Sequence, residues 1–245
     1  MRALPAALVL ALAFTTACEP AQEAGTAPSK TAAAPAPASP SPTVTPNGVE
    51  KLPARDILAR ARKATTSAKS VRMHGRFKEG GEDYALDFRF SGRTKSTGRF
   101  SQGGQHVDLT RIGKAVYIKG NDAFWKEIGG KGAAQLFSGK SIKTTATNRD
   151  FADLAAFTDR GGLLAELLKV KGGWDTGKTG TVGGTPTVEL VGPDGEKIHV
   201  ATQGEPYLLL LDGGSANRLE FSAYNEQVDV QAPPSGTVVD ADKLQ

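Results

Sequence analysis

The most explicit chemical pattern in the chain is an eight-residue run. Gly172-Gly173-Trp174-Asp175-Thr176-Gly177-Lys178-Thr179 satisfies the phosphate-cradling pattern G-x-x-x-x-G-K-[ST] letter for letter. Leu208-Leu209-Leu210-Leu211-Asp212 adds an apolar run ending in an acid, the form of a magnesium-holding strand. Context argues against both. A phosphate loop needs a strand before it and a helix after it, because the helix N-terminus binds the phosphates. Here a leucine-rich helical stretch precedes the run, and Gly180-Thr181-Val182-Gly183-Gly184-Thr185-Pro186 follows it. Three glycines, β-branched residues and a proline do not make a helix. The run reads as a solvated loop entering a strand, Asp212 as the first residue of a glycine hairpin, and no nucleotide is expected.

The other reactive side chains form no constellation. His74, His106 and His199 lie far apart, each between apolar neighbours in a predicted strand, so all three are expected on one polar face. No G-x-S-x-G elbow occurs, and no carboxylate pair stands out. One cysteine excludes an intramolecular disulfide and a cysteine-ligated zinc. Catalytic residues, metal ligands and cofactor-binding residues are therefore all expected to be none. The net charge, 30 − 26 = +4, is spread without a Lys/Arg block, which argues against nucleic acid and against a polybasic membrane patch.

That single cysteine has a telling position. Met1-Arg2 is a short positive start, Ala3 to Phe14 an apolar run too short to span a bilayer, and Thr15-Thr16-Ala17 a small-residue stretch before Cys18. This resembles the lipobox of bacterial lipoproteins, with Thr15 where that pattern prefers Leu. The resemblance implies a signal peptide over 1–17, cleavage after Ala17, and a diacylglyceryl thioether on Cys18. Two acyl chains hold a protein on a membrane stably, at about 0.8 kcal/mol per buried methylene. From Glu19 to Gly48, seven of thirty residues are proline and the rest mostly Ala, Ser and Thr. Such a stretch cannot offset its chain entropy by burial, so 18–48 reads as a disordered tether reaching roughly 30–90 Å.

Residues 49–245 read as one α+β domain. Ile57, Leu58, Ala61, Ala64 and Ala68 recur at helical spacing over Ala54 to Ala68. Alternation then marks strands at Val71 to Phe77, Tyr84 to Phe90, Val107 to Leu109, Tyr117 and Phe124-Trp125. Two short helices follow, around Phe151 to Phe157 and Leu163 to Leu168. Strands return at Thr187 to Val191, Lys197 to Ala201, Pro206 to Leu211 and Arg218 to Phe221, with a last one from Val228 to Val230. The order predicts a large antiparallel sheet with helices on one face.

The whole pattern resembles actinobacterial lipoproteins of the LppX/LprAFG type, which share the LolA/LolB-like fold. The features are the lipobox at Cys18, the Pro/Ala tether and an Ala-rich helix leading into Ser70-Val71-Arg72-Met73-His74-Gly75. Ala115-Val116-Tyr117-Ile118-Lys119 and Phe124-Trp125 follow, then Gly204-Glu205-Pro206-Tyr207 and Leu219-Glu220-Phe221-Ser222-Ala223-Tyr224-Asn225. The resemblance implies a strongly curved, unclosed β-barrel with helices across its concave face. It also implies a non-catalytic protein on the outer face of the cell membrane that holds a lipid or glycolipid between sheet and helices. The alternative it leaves open is an envelope sensor or scaffold that binds a protein partner. A slot is expected between Leu163, Leu164, Leu167 and Leu168 on the helix around Gly162 to Val170 and Tyr84, Leu86, Phe88, Phe90, Leu208 and Leu210 on the sheet.

Overall fold

The computed structural model describes residues 45–169 and 172–243. Cys18, the signal peptide and most of the tether lie outside the described residues, as does Val170. The first described residues are docked on the domain. Pro46 bridges Gln203, and Asn47 donates to the carbonyls of Thr202, Ala201 and Gly204.

The sheet is one unclosed, 12-stranded array built from two meanders. The first comprises β1 (Ser70–Glu79), β2 (Glu82–Ser91), β3 (Lys95–Gln102), β4 (Gln105–Ile112), β5 (Ala115–Gly120) and β6 (Ser141–Thr145). The second comprises β7 (Asp175–Val182), β8 (Thr185–Val191), β9 (Lys197–Ala201), β10 (Leu208–Asp212) and β11 (Arg218–Ser222). They join where β1 pairs with β11, Met73 facing Phe221. All these pairings are antiparallel, and β12 (Val238–Asp240) adds a parallel edge beside β6. Four helices complete the α+β fold: α1 (Ala54–Ser67), α2 (Asp122–Phe137), α3 (Ala152–Ala156) and α4 (Arg160–Leu167).

Alternation decides which face is buried. Val71, Met73, Leu86, Phe88, Phe90, Val107, Leu109, Val116 and Ile118 point to one face, and Val188, Leu190, Ile198, Val200, Leu219 and Phe221 continue it across the join. Ile57 and Ala61 of α1, Phe124 and Trp125 of α2 and Leu164 of α4 cover that face. The opposite face carries a row of ionisable side chains in cross-strand register: Lys119, Asp108, Arg99, Asp87, His74 and Glu220.

Several elements differ from the sequence expectation, which marks no strand at β3 or β6. Phe124-Trp125 is helical, because Asn121 caps α2 by accepting from the Phe124 amide at 3.0 Å. Gly129 and Gly130 then leave helical geometry and kink α2, which hid its period from the sequence. Strand β3 has one large apolar residue, Phe100, and pairs fully all the same, because β2 and β4 supply partners on both sides. The Val228 to Val230 segment forms no strand, and Val238–Asp240 forms the last strand instead. Gly177-Lys178-Thr179, expected in a loop, lies within β7 at the edge of the sheet, with no helix after it. Asp212 is where its hairpin needs it, accepting from the Gly214 amide at 2.9 Å.

Two glycines permit close contacts that no other residue allows. At Gly98 a Cβ would sit 2.5 Å from the Phe88 ring, which lies across the bare backbone. At Gly75, on the join itself, a Cβ would sit 1.9 Å from the Arg218 carbonyl oxygen. Gly75→Ala must therefore push β1 and β11 apart. The expected outcome is a loss of about 1–3 kcal/mol, read as a lowered melting temperature and a lowered denaturant midpoint.

Candidate ligand cleft

Helices α3 and α4 meet at a three-residue corner, Phe157 to Asp159. The corner is fixed by short-range chemistry. The Asp159 side chain caps α4 by accepting from the Gly161 amide at 3.1 Å. The Thr158 hydroxyl donates back to the Ala155 carbonyl. Two long-range contacts then hold the corner to the domain. The Ser96 hydroxyl of β3 donates to the Thr158 carbonyl at 3.1 Å. The Arg160 guanidinium donates to the carbonyls of Ala68 and Thr66 at 3.0 and 2.7 Å. Those carbonyls are the unpaired C-terminal groups of α1, so a buried cation meets the negative end of a helix. Burial pushes the Arg160 guanidinium below its ordinary value, and nearby Arg93 adds to that.

Beneath the corner lies an aromatic row. Phe157, directly after α3, has its ring centre 4.8 Å from Phe100 and 6.3 Å from Phe88. Phe88 continues to Phe90 at 6.1 Å, and Phe100 continues to Tyr84 at 5.5 Å and on to Phe77. The half-buried upper side of Phe157 opens into a cleft of about 420 Å³ between α3 and α4. Phe157, Leu163, Ala156 and Ala165 give it an apolar lining, and exposed Asp153, Asp159 and Glu166 also border it. The volume lies in the range of ligand pockets.

The ten residues expected to line a slot are distributed as follows. Leu86, Phe88, Phe90, Leu164, Leu168 and Leu208 are buried together in the continuous core. Leu167 is half-buried against that core. Leu163 borders the α3–α4 cleft. Tyr84 stacks in the aromatic row and borders a different cleft with Arg76, Gln105 and His106. Leu210 does not share a face with Leu208. A β-bulge between them sets Leu208 opposite Val200 but Leu210 opposite His199 and Glu220, where it is buried on the charged face of the sheet. Strict alternation would put both on one face; one extra residue in the strand reverses the second.

Sequence reasoning missed Phe157 as a site residue, although it placed it in a short helix. It also missed Asp153, Asp159 and Glu166. The Thr158-Asp159 pair ahead of the leucine helix is a cap signature that could have located the corner. Nothing local marks Arg160, whose partners belong to α1.

The histidines belong to the charged face. His74 Nε2 lies 3.5 Å from a Glu220 carboxylate oxygen, and His199 faces Glu189 and Leu210. Burial lowers His199 below the ordinary imidazole range. Among the described residues no group of His, Cys, Asp and Glu is placed to hold a metal ion. Arg72 grips Asp87 through two hydrogen bonds of 2.8 and 2.6 Å and holds its carboxyl below the usual range.

The two C-terminal sequence motifs form a structural knot. Tyr207 and Tyr224 stack at 3.9 Å, and the buried Tyr224 hydroxyl donates to the Leu208 carbonyl beside Thr65 of α1. Asn225, in left-handed geometry, accepts from the Lys69 amide and donates to the Tyr207 hydroxyl.

No protein-family model matches the chain, and no curated protein matches it. Among solved structures it is similar to the LolA superfamily protein NE2245 from Nitrosomonas europaea. That alignment has 11% identity over 76% of this chain and 96% of the other, with a TM-score of 0.25. It is also similar to a chain of the Pseudomonas aeruginosa MucA/MucB complex. There the identity is 14% over 78% of this chain and 60% of that one, with a TM-score of 0.30. Neither likeness is close enough to carry a function, and the fold rests on the strand order and register above.

Arg160 provides the direct test of how the corner is held. Arg160→Met keeps the apolar stem and removes both charged hydrogen bonds. The expected cost is about 1.5–3 kcal/mol, with faster amide exchange in α4 than in β1.

Proposed function

We propose that the chain is an exported lipoprotein held at the outer face of the cell membrane by a diacylglyceryl group on Cys18. Its folded domain binds a lipid or other lipophilic ligand and carries out no catalysis. The same reading counts it among lipoproteins of the LppX/LprAFG type. The carrying observation is the apolar cleft between α3 and α4, whose Phe157 floor is continuous, ring to ring, with the aromatic core. An acyl chain laid there would exchange water for apolar surface at about 0.8 kcal/mol per methylene. No helix among the described residues is long and apolar enough to cross a membrane. On this reading the membrane attachment belongs to Cys18.

The ligand half is tested with full-length Cys18→Ser protein titrated with dodecyl maltoside below its micelle concentration. Saturable binding is expected, weakened at least about tenfold by Leu163→Trp, which fills the cleft, with the melting temperature little changed. Absence of saturable binding overturns the reading. The anchor half is tested by fractionating cells. Cys18→Ser should leave a folded protein in the soluble fraction, and firm retention on the membrane would exclude Cys18 as the anchor.

One observation favours the second reading, a scaffold that binds a protein partner. Ile128 and Leu136 on the kinked α2 are 60% and 52% exposed, unusually so for large apolar side chains. If Ile128→Ser with Leu136→Ser abolishes co-purification of an envelope protein while dodecyl maltoside binding is absent from the wild type, the scaffold replaces the carrier.

A further inference from the structure

The cleft has a charge as well as a shape. Asp153, Asp159 and Glu166 border it, and no Lys, Arg or His does. Lys169 lies 3.8 Å from Glu166, and both side chains are three-quarters exposed. That pair is solvated and weak. Asp159 uses one carboxylate oxygen on the Gly161 amide, so its charge is fixed in place by the cap. Beside these acids stand Phe157 and Leu163, both half-buried and contiguous with the core. A metal ion would use the carboxylates and gain nothing from the apolar lining. An anionic amphiphile would use the lining and be repelled by the carboxylates. A neutral one would use half of the site.

We propose that the α3–α4 cleft selects a cationic amphiphile. The apolar chain lies on Phe157 and Leu163, and a head bearing an ammonium or similar cation sits among Asp153, Asp159 and Glu166. The inference rests on the ligand-binding reading above and adds the class of head group. Each exposed carboxylate acts on a cation only weakly, so the selection rests on three like charges acting together on a head group that the apolar chain holds beside them. The selection is electrostatic, so it weakens with salt.

Three probes with the same twelve-carbon chain separate shape from charge: dodecyltrimethylammonium, dodecyl maltoside and dodecanoate. Each is titrated calorimetrically, below its micelle concentration, into full-length Cys18→Ser protein. The ammonium should bind about tenfold tighter than the maltoside, and dodecanoate weaker than both. The preference should shrink at about 0.5 M salt. Asp153→Asn with Glu166→Gln should narrow the ammonium-to-dodecanoate ratio about tenfold. Leu163→Trp should abolish ammonium binding, and its persistence there would place the cation elsewhere and overturn the proposal. Equal affinity for all three probes overturns the charge selection and leaves the ligand reading standing. Binding of none overturns both.

Discussion

Strand β1 is hydrogen-bonded along both edges, to its sequence neighbour β2 and to the distant β11. The β1–β11 ladder turns two separate meanders into one sheet, and it closes a loop that contains most of the domain. Closing so long a loop costs entropy that local pairings do not face. The offset comes from apolar burial across the join, where Met73 lies opposite both Phe88 and Phe221. Gly75 sets the spacing, since a side chain there would meet the backbone of β11. The knot of Tyr207, Tyr224, Asn225 and Thr65 ties the same join to the C-terminal end of α1. Loss of the ladder would expose two half-sheets and leave the helices without a common surface.

The helical side follows from that single face. A sheet this wide must bury one side, and of its helices α2 is kinked and α3 and α4 are short. Helix α1 packs over β10 and α2 over β4 and β5, with Ile57, Ala61, Phe124 and Trp125 in the core. The α3–α4 corner covers the middle, held by Ser96 and Arg160 to structures it does not otherwise continue. A corner pinned at two points over an aromatic row leaves a recess where its two helices diverge, and the cleft is that recess. The carboxylates arrive for a local reason. Asp159 caps α4, and Asp153 and Glu166 lie on the outward surfaces of short helices. Folding thus brings an apolar floor and an acidic border together without any dedicated motif.

The other face of the sheet is spent on charge. Arg99 with Asp108 and Arg72 with Asp87 form two-point hydrogen-bonded pairs in a row that also takes in His74 and Glu220. Exposed pairs contribute little stability each. They keep a broad sheet face hydrated and discourage its stacking on another sheet. The three histidines share this face and need no further role there.

Much of this was legible in the sequence, because period-two alternation with glycine turns is a local consequence of strand geometry. It marked most strands, the first helix, the antiparallel sheet and its buried face. It also rejected the phosphate-loop pattern at Gly172 to Thr179, since glycines, β-branched residues and Pro186 cannot continue as a helix. Its failures were at places where distant contacts outvote local ones. β3 is held by neighbours on both sides despite one large apolar residue, and α2 starts on Asn121, whose side chain is fixed by the distant His106 amide and Gly104 carbonyl. The bulge between Leu208 and Leu210 reversed one leucine, because register is set by the partner strands and not by spacing within β10. The cleft was the least legible feature of all. Its floor is Phe157 seen against Phe100 and Phe88, and its position depends on Arg160 reaching the end of α1, so it exists only once residues far apart in the chain are packed together.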